Sequence, residues 1–273
     1  MSDGSSVTPS AAPASGGAAG RMGLGVLAST FLRSLTIQGS WNYRSMQGGG
    51  FAFALLPVLR RLCGESGPTL DAALARHSQH FNSHPYLVGI ALGAAARLEL
   101  EGETPETVDR FKAAIRGPLG GLGDTLVWAG WLPVTLLVAL TLAWSGLPPL
   151  ASVIAFLVLY NVGHLGLRAW SFQVGLREGR AVGSRLRALA LGHRAEVLYR
   201  VGTLLLGTLS GLLLTSSTAM GGTGWFWPVL AVSGFAVGAF GGPRVWRPTA
   251  LVVVGVVFVN LVWGAMLPGR VGL

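Results

Sequence analysis

The stretch "HSQHFNSH" sets His77, His80 and His84 three and seven residues apart, the spacing at which imidazoles on one helical face meet a zinc ion. Two observations argue against a metal. No glutamate stands in the H-E-x-x-H position that a hydrolase uses as its base. His77 also falls in line with Leu70, Leu74 and Phe81 on one face of a helix that Pro85 ends, and His84 precedes that proline, which pulls its backbone out of the helix. A packed histidine with no metal is expected. A second stretch, "RGPLGGLGDTLVWAGW", has the glycines of a phosphate cradle, but neither the Lys-Ser/Thr ending nor a preceding strand. Two uses remain open for it: a chain break at membrane depth whose glycines let backbones approach, or a tight turn closed by a capping residue. In both, Asp124 is expected to cap a helix starting at Thr125 and to complement its dipole. A third cluster groups Gln38, Trp41, Asn42 and Gln47 near flexible glycines, amides and an indole of the kind that hold neutral sugars. Its structural alternative is amides that satisfy neighbouring backbone. Asn161 and His164, inside an uncharged interval, are expected as interhelical hydrogen-bond partners.

The elements that must position these groups belong to a membrane protein. Hydrophobic residues make up 51% of 273 positions and charged residues 11%, with mean hydropathy +0.56; soluble domains carry about 25% charged residues. No Asp, Glu, Lys or Arg occurs between Asp124 and Arg168, between Arg200 and Arg244, or between Arg247 and Arg270. At about 20 apolar residues per crossing, these intervals have room for two, two and one spans. The predicted fold is all-α, an integral membrane protein with amphipathic or re-entrant N-terminal helices and up to five transmembrane helices after them. Residues 1–22 read as a disordered cytoplasmic tail without a signal peptide, 23–118 as the amphipathic part, and 119–272 as the membrane-spanning part. Ser145 to Pro149 turns the first hairpin and Met220 to Gly224 the second. Leu87 to Ala96 is too short to span and suits a re-entrant or interfacial segment.

The net charge is +9. Its arginines fall at membrane boundaries instead of interleaving with aromatics, which excludes nucleic acid as the expected partner. Arg168, Arg177, Arg180, Arg185, Arg187, Arg194 and Arg200 gather in one connection, expected on the cytoplasmic side with the N-terminus, leaving the C-terminus external. The single cysteine, Cys63, excludes an intrachain disulfide.

Taken in order, "FLRSLTIQGSWNYRSMQGGGFAFALLPVLRRL", "RHSQHFNSHPYLVGIALG" and "GPLGGLGDTLVWAGWLPV" resemble the IID membrane component of the mannose-family bacterial sugar phosphotransferase system (PTS). The resemblance implies a non-catalytic subunit of the bacterial cytoplasmic membrane, without cofactor. Beside a IIC subunit it forms the pathway for a hexose-type sugar, while soluble IIA and IIB components relay the phosphate. It implies a hetero-oligomer in the lipid bilayer, and points to Gln38, Trp41, Asn42, Gln47, His77, Asn82 and Asp124 as residues of the sugar pathway. The alternative is a regulatory or scaffold protein derived from such a subunit, which moves no sugar. Gly48 and Gly49, added to the family's single glycine at Gly50, are expected to loosen their helix, each at about 1 kcal/mol relative to alanine.

Overall fold

The computed structural model describes residues 22–188 and 191–219. The tail up to residue 21, the second hairpin around Met220 to Gly224, the last apolar run and the C-terminus lie outside the described residues. Within them the chain is helical: α1 (Leu24–Ser34), α2 (Gly48–Cys63), α3 (Pro68–His77), α4 (Val88–Leu100), α5 (Pro105–Gly123), a π-helical segment (Asp124–Trp131), α6 (Leu132–Trp144), α7 (Pro149–Glu178), α8 (Val182–Ala188) and α9 (Leu191–Ala219). A single 3-10 turn, Gly179–Ala181, joins α7 to α8.

The centre of the molecule is α4, "VGIALGAAARLEL", whose small and apolar side chains from Val88 to Ala96 leave no polar face there, so that part is buried on all sides, with Arg97 and Glu99 at its less buried end. The segment expected to be re-entrant or interfacial is a helix buried within the protein. It packs along α7 backbone to backbone. A Cβ at Gly93 would collide with the carbonyl oxygen of Phe172, and one at Gly175 with that of Ile90. Around α4, Ile37, Phe51, Leu55, Leu59, Phe81, Leu119 and Phe172 close one hydrophobic core. Glu103 N–H to Leu98 and Gly102 N–H to Glu99, with Gly102 at φ 70°, end α4 in a Schellman motif. The next helix starts at once, with Thr104 Oγ1 accepting from Thr107 N–H and Pro105 in the first turn.

The helix over 70–81 is shorter than its periodicity indicates. It stops at His77, because residues 78–81 leave to pair with the loop before α2: Phe81 N–H donates to Ser45 and Gln47 N–H to Phe81. This pairing brings the carbonyls of Ser78 and Gln79 onto Gly48, and the carbonyl of Ile37 sits on Gly50. Gly48 thus admits neighbouring backbone at the start of α2, where a Cβ would collide with it.

Ser145 to Pro149 turns a hairpin as expected: Leu147 N–H donates to Leu142 and Gly146 N–H to Ala143, with Gly146 at φ 99° and Pro149 opening α7. Among the described residues, three helical stretches are long and apolar enough to cross a membrane: Pro105–Trp144, Pro149–Arg187 and Gly192–Leu213. The basic connection narrows accordingly. Arg168 and Arg177 are inside α7, and Arg194 and Arg200 inside α9. Pro118 and Leu119 lie within one continuous helix that runs from α5 through the π segment into α6.

Candidate functional site

The loop after α1 carries four of the proposed pathway residues. Gln38 is exposed, Trp41 packs edge-on against Tyr43, and Asn42 Oδ1 accepts from the backbone N–H groups of Arg44 and Ser45, an Asx turn that shapes the loop. Gln47 is buried and clamps the loop to its neighbour: its Nε2 donates to Ser83 O at 2.8 Å and its Oε1 accepts from Ser83 N–H at 3.1 Å. Between the paired residues Phe81 and Ser83, Asn82 projects to the surface. Gln47 and Asn82 are thus brought together. Gln38, Trp41, Asn42, Asn82 and Asp124 are surface residues, while Gln47 and His77 are interior, so the seven do not share one environment.

The three histidines diverge because α3 ends at the first of them. His77 stacks on Phe51, and its Nε2 donates to Glu99 Oε1 at 2.8 Å, beside Arg76 Nη2 at 2.6 Å from the same oxygen. Lys112, reaching in from α5, donates to the carbonyl oxygens of Arg76 and His77. Burial pushes the His77 imidazole below its ordinary range and keeps it neutral. Burial raises the Glu99 carboxyl, but the hydrogen bonds from His77 and Arg76 outweigh that and hold it ionised. His80 is exposed against Arg116. His84 accepts from Tyr86 N–H through Nδ1 and lies under Gly123, where a Cβ would overlap its ring.

His84 opens a cluster that periodicity does not show. Its ring lies 5.0 Å from Trp128, and Tyr86 stacks on His164 at 3.9 Å. The hydroxyls of Tyr86 and Tyr160 share a 2.6 Å hydrogen bond. Beneath them Arg168, expected at a membrane boundary, is buried: its Nε donates to His164 Nε2 at 2.8 Å and its Nη1 to the Ser34 carbonyl at the end of α1. His164 stacks on Tyr86 of the turn before α4 and accepts from Arg168 of its own helix, and Asn161 donates to Leu157 of its own helix, so among the described residues neither makes the expected interhelical hydrogen bond. The adjoining cavity, lined by Tyr86, Trp131, His164 and Leu198, holds about 180 Å³. This is below the about 300 Å³ usual for drug-sized ligands, and the contacts of Tyr86 and Arg168 tie α7 to the turn before α4 and to the end of α1.

His84 also sets a pH dependence. Burial, with Arg168 and His164 nearby, lowers its pKa from 6.5 to about 4. The unfolded chain takes up this proton near 6.5 and the folded chain only near 4, so the stability is complete above the upper value and is lost as pH falls toward the lower. At about 1.4 kcal/mol per unit the loss is about 3 kcal/mol. Thermal unfolding of detergent-solubilised protein across that range is expected to show the decline, and His84→Gln to flatten it. An equally steep profile in the variant would refute the assignment.

The stretch 116–131 corrects a second expectation. Asp124 does not cap a helix: its backbone is helical (φ −59°, ψ −43°) and the chain continues through it into the π segment. A π turn shifts hydrogen bonds to i→i+5, and side-chain hydroxyls take up carbonyls there. Thr125 Oγ1 donates to Gly121 O at 2.8 Å and Tyr199 to Thr125 O at 3.2 Å. Pro133, without an N–H to give the preceding turn, stands just beyond the segment. The buried face carries Lys112, Ile115, Leu119, Gly123 and Val127, and the exposed face Gly117, Gly121, Asp124 and Trp128. Open space surrounds Gly117 and Gly121, and Asp124 makes no side-chain hydrogen bond or ion pair with the described residues.

Apolar helices of spanning length around a buried helical core, with an outward carboxylate and indole where the first uncharged run begins, define a helical membrane protein. Residues 25–223 match the family described as PTS system mannose/fructose/sorbose family IID component, and the chain belongs to that family. It is 32% identical over 184 residues to the PTS system mannose-specific EIID component of Escherichia coli K12, a match spanning 64% of this chain and 64% of that relative. It is 30% identical over 190 residues, 68% of each chain, to the sorbose-specific EIID component of Klebsiella pneumoniae. A solved membrane-protein structure shares 28% identity at TM-score 0.63, covering 70% of this chain and 71% of its own. The cryo-EM structure of the mannose transporter ManYZ with microcin E492 shares the fold, at TM-score 0.55 and 23% identity over 93% of this chain and 99% of that one.

Proposed function

We propose that the chain is the IID subunit of a sugar permease that, with a IIC partner, forms the passage for a hexose-type sugar. The soluble IIA and IIB components carry the phosphoryl chemistry, and the chain itself catalyses none. In this reading the N-terminus and the connection bearing Arg180, Arg185 and Arg187 face the cytoplasm and the C-terminus lies outside. Residues 23–118 form the amphipathic part and 119–272 the membrane-spanning part.

The observation that carries the reading is the exposed face of α5 and the π segment. Gly117 and Gly121, four residues apart, present bare backbone for close approach of another helix. Asp124 and Trp128 follow on the same face, a carboxylate for sugar hydroxyls and an indole for the apolar side of a pyranose ring. Asn82 projects from the loop whose His84 packs under Gly123. Gln38, Trp41 and Asn42 extend the polar surface along the paired loop, and Gln47 and His77 support it from within.

Sugar uptake in cells co-expressing the IIC partner tests this. Trp128→Ala and Asp124→Asn are each expected to lower uptake about tenfold or more, equivalent to about 1.4 kcal/mol, at unchanged membrane level. Gly121→Leu is expected to abolish co-purification with IIC. Normal uptake in the first two together with intact co-purification in the third would sink the proposal.

A further inference from the structure

A second cleft lies between α5 and α8, away from the face just described. It encloses about 560 Å³, within the usual range for ligand sites, and its walls are almost entirely carbon, with Phe111, Ile115 and Leu122 on one side and Leu186 on the other. Two guanidiniums border it. Arg180 donates to Glu103 at 2.9 Å and keeps a largely exposed side chain, while Arg187 is exposed and has no carboxylate partner among the described residues. The cleft is formed where the stretch Pro149–Arg187 ends and where the stretch beginning at Pro105 is still amphipathic, so it lies at one end of both candidate spans.

We propose that this cleft binds a phospholipid with an anionic headgroup, one acyl chain lying along the apolar walls and the phosphate meeting Arg187 and Arg180. The charge and the apolar walls are needed together. Basic pockets between helices at the cytoplasmic end of a bundle recognise anionic headgroups, whereas a peptide segment would bring backbone N–H and C=O groups for which these walls offer no partners. A soluble anion would use the guanidiniums and leave the apolar volume empty. The inference rests on the cytoplasmic placement proposed above for the connection bearing Arg180 and Arg187, and not on the chain's part in sugar passage.

Native mass spectrometry of the full-length protein in mild detergent, with phosphatidylglycerol, phosphatidylcholine or inorganic phosphate added, tests it. Retention of one phosphatidylglycerol per chain is expected, well above phosphatidylcholine, with no competition from inorganic phosphate. Arg187→Gln is expected to weaken that retention about fivefold, the effect of one basic residue at an anionic surface. Filling the cleft from opposite walls, with Ala114→Trp or Gly183→Leu, is expected to remove both lipids. Ala114 is exposed and a side chain at Gly183 meets open space, so neither variant disturbs the core, and size-exclusion profiles verify this. The proposal is overturned by equal retention of both lipids, by an unchanged Arg187→Gln, or by displacement with phosphate. It is equally overturned if lipid survives both filling variants, as for lipid held around the protein at large. Absence of retained lipid in the wild type, as when protein occupies the cleft, also overturns it.

Discussion

Gly175→Leu is expected to leave almost no folded protein in the membrane, whereas Gly166→Leu, nine residues earlier in the same helix, is expected to accumulate normally. The difference is position. Gly175 lies against the backbone of α4, where even a Cβ would overlap the Ile90 carbonyl oxygen and crowd the Ala94 amide. Neither is the end of a flexible side chain, so the helices must separate. α4 is buried from Val88 to Ala96, and separation opens the core on both sides. Overpacking that repacking absorbs costs about 1–3 kcal/mol. A leucine against rigid backbone exceeds that and takes a large part of the about 5–15 kcal/mol by which domains are stable. Gly175→Ala, whose Cβ meets the same backbone, is expected to lower the membrane level too, though less than leucine does. A Cβ at Gly166 meets open space, and loss of a helix-interior glycine there is harmless. Membrane levels and fluorescence-detected size exclusion measure both. Equal accumulation of the two leucine variants would show that α4 and α7 do not meet through Gly175.

Glu99→Ala is expected to destabilise the protein by about 3–5 kcal/mol, the cost of removing one partner of a buried ion pair. Glu99 is the acceptor for both Arg76 and His77, and Lys112 lies near by, held to the carbonyls of α3 and 5.2 Å from the Phe51 ring. Without the carboxylate, two cations face each other in the interior. Glu99→Gln keeps an acceptor for His77 but not the charge, and is expected to fall between wild type and alanine. Combining Glu99→Ala with Arg76→Leu is expected to recover most of the loss, because the uncompensated cation and not the missing attraction dominates. Thermal or denaturant unfolding of purified protein gives all four values. A strictly additive double variant, or a cost below about 1 kcal/mol for Glu99→Ala, would contradict this account.

Inside a bilayer a long apolar run satisfies its own backbone as a helix, because lipid offers it no hydrogen-bonding partner. Among the described residues, the apolar runs within the three candidate spans and the turn at Ser145 to Pro149 were therefore legible in composition and in turn chemistry, though the first candidate span starts earlier, at Pro105. The family, too, was legible, in three motifs kept in order. Tertiary structure decided where the polar residues went. His77 and Phe81 share a periodicity, yet pairing of Phe81 with Ser45 and Gln47, more than 30 residues away, ended the helix between them. Asp124 has the residue type and the glycine neighbours of a cap, yet the chain runs helically through it, with hydroxyls of Thr125 and Tyr199 on the carbonyls of the widened turns. Arg168 looks like a boundary charge and is buried, because His164 and the Ser34 carbonyl supply what water would. Local sequence determines which segments leave water, since each residue's transfer free energy is its own. Which polar groups meet inside depends on helix faces distant in sequence, and those are chosen by how glycines such as Gly93 and Gly175 let backbones close together.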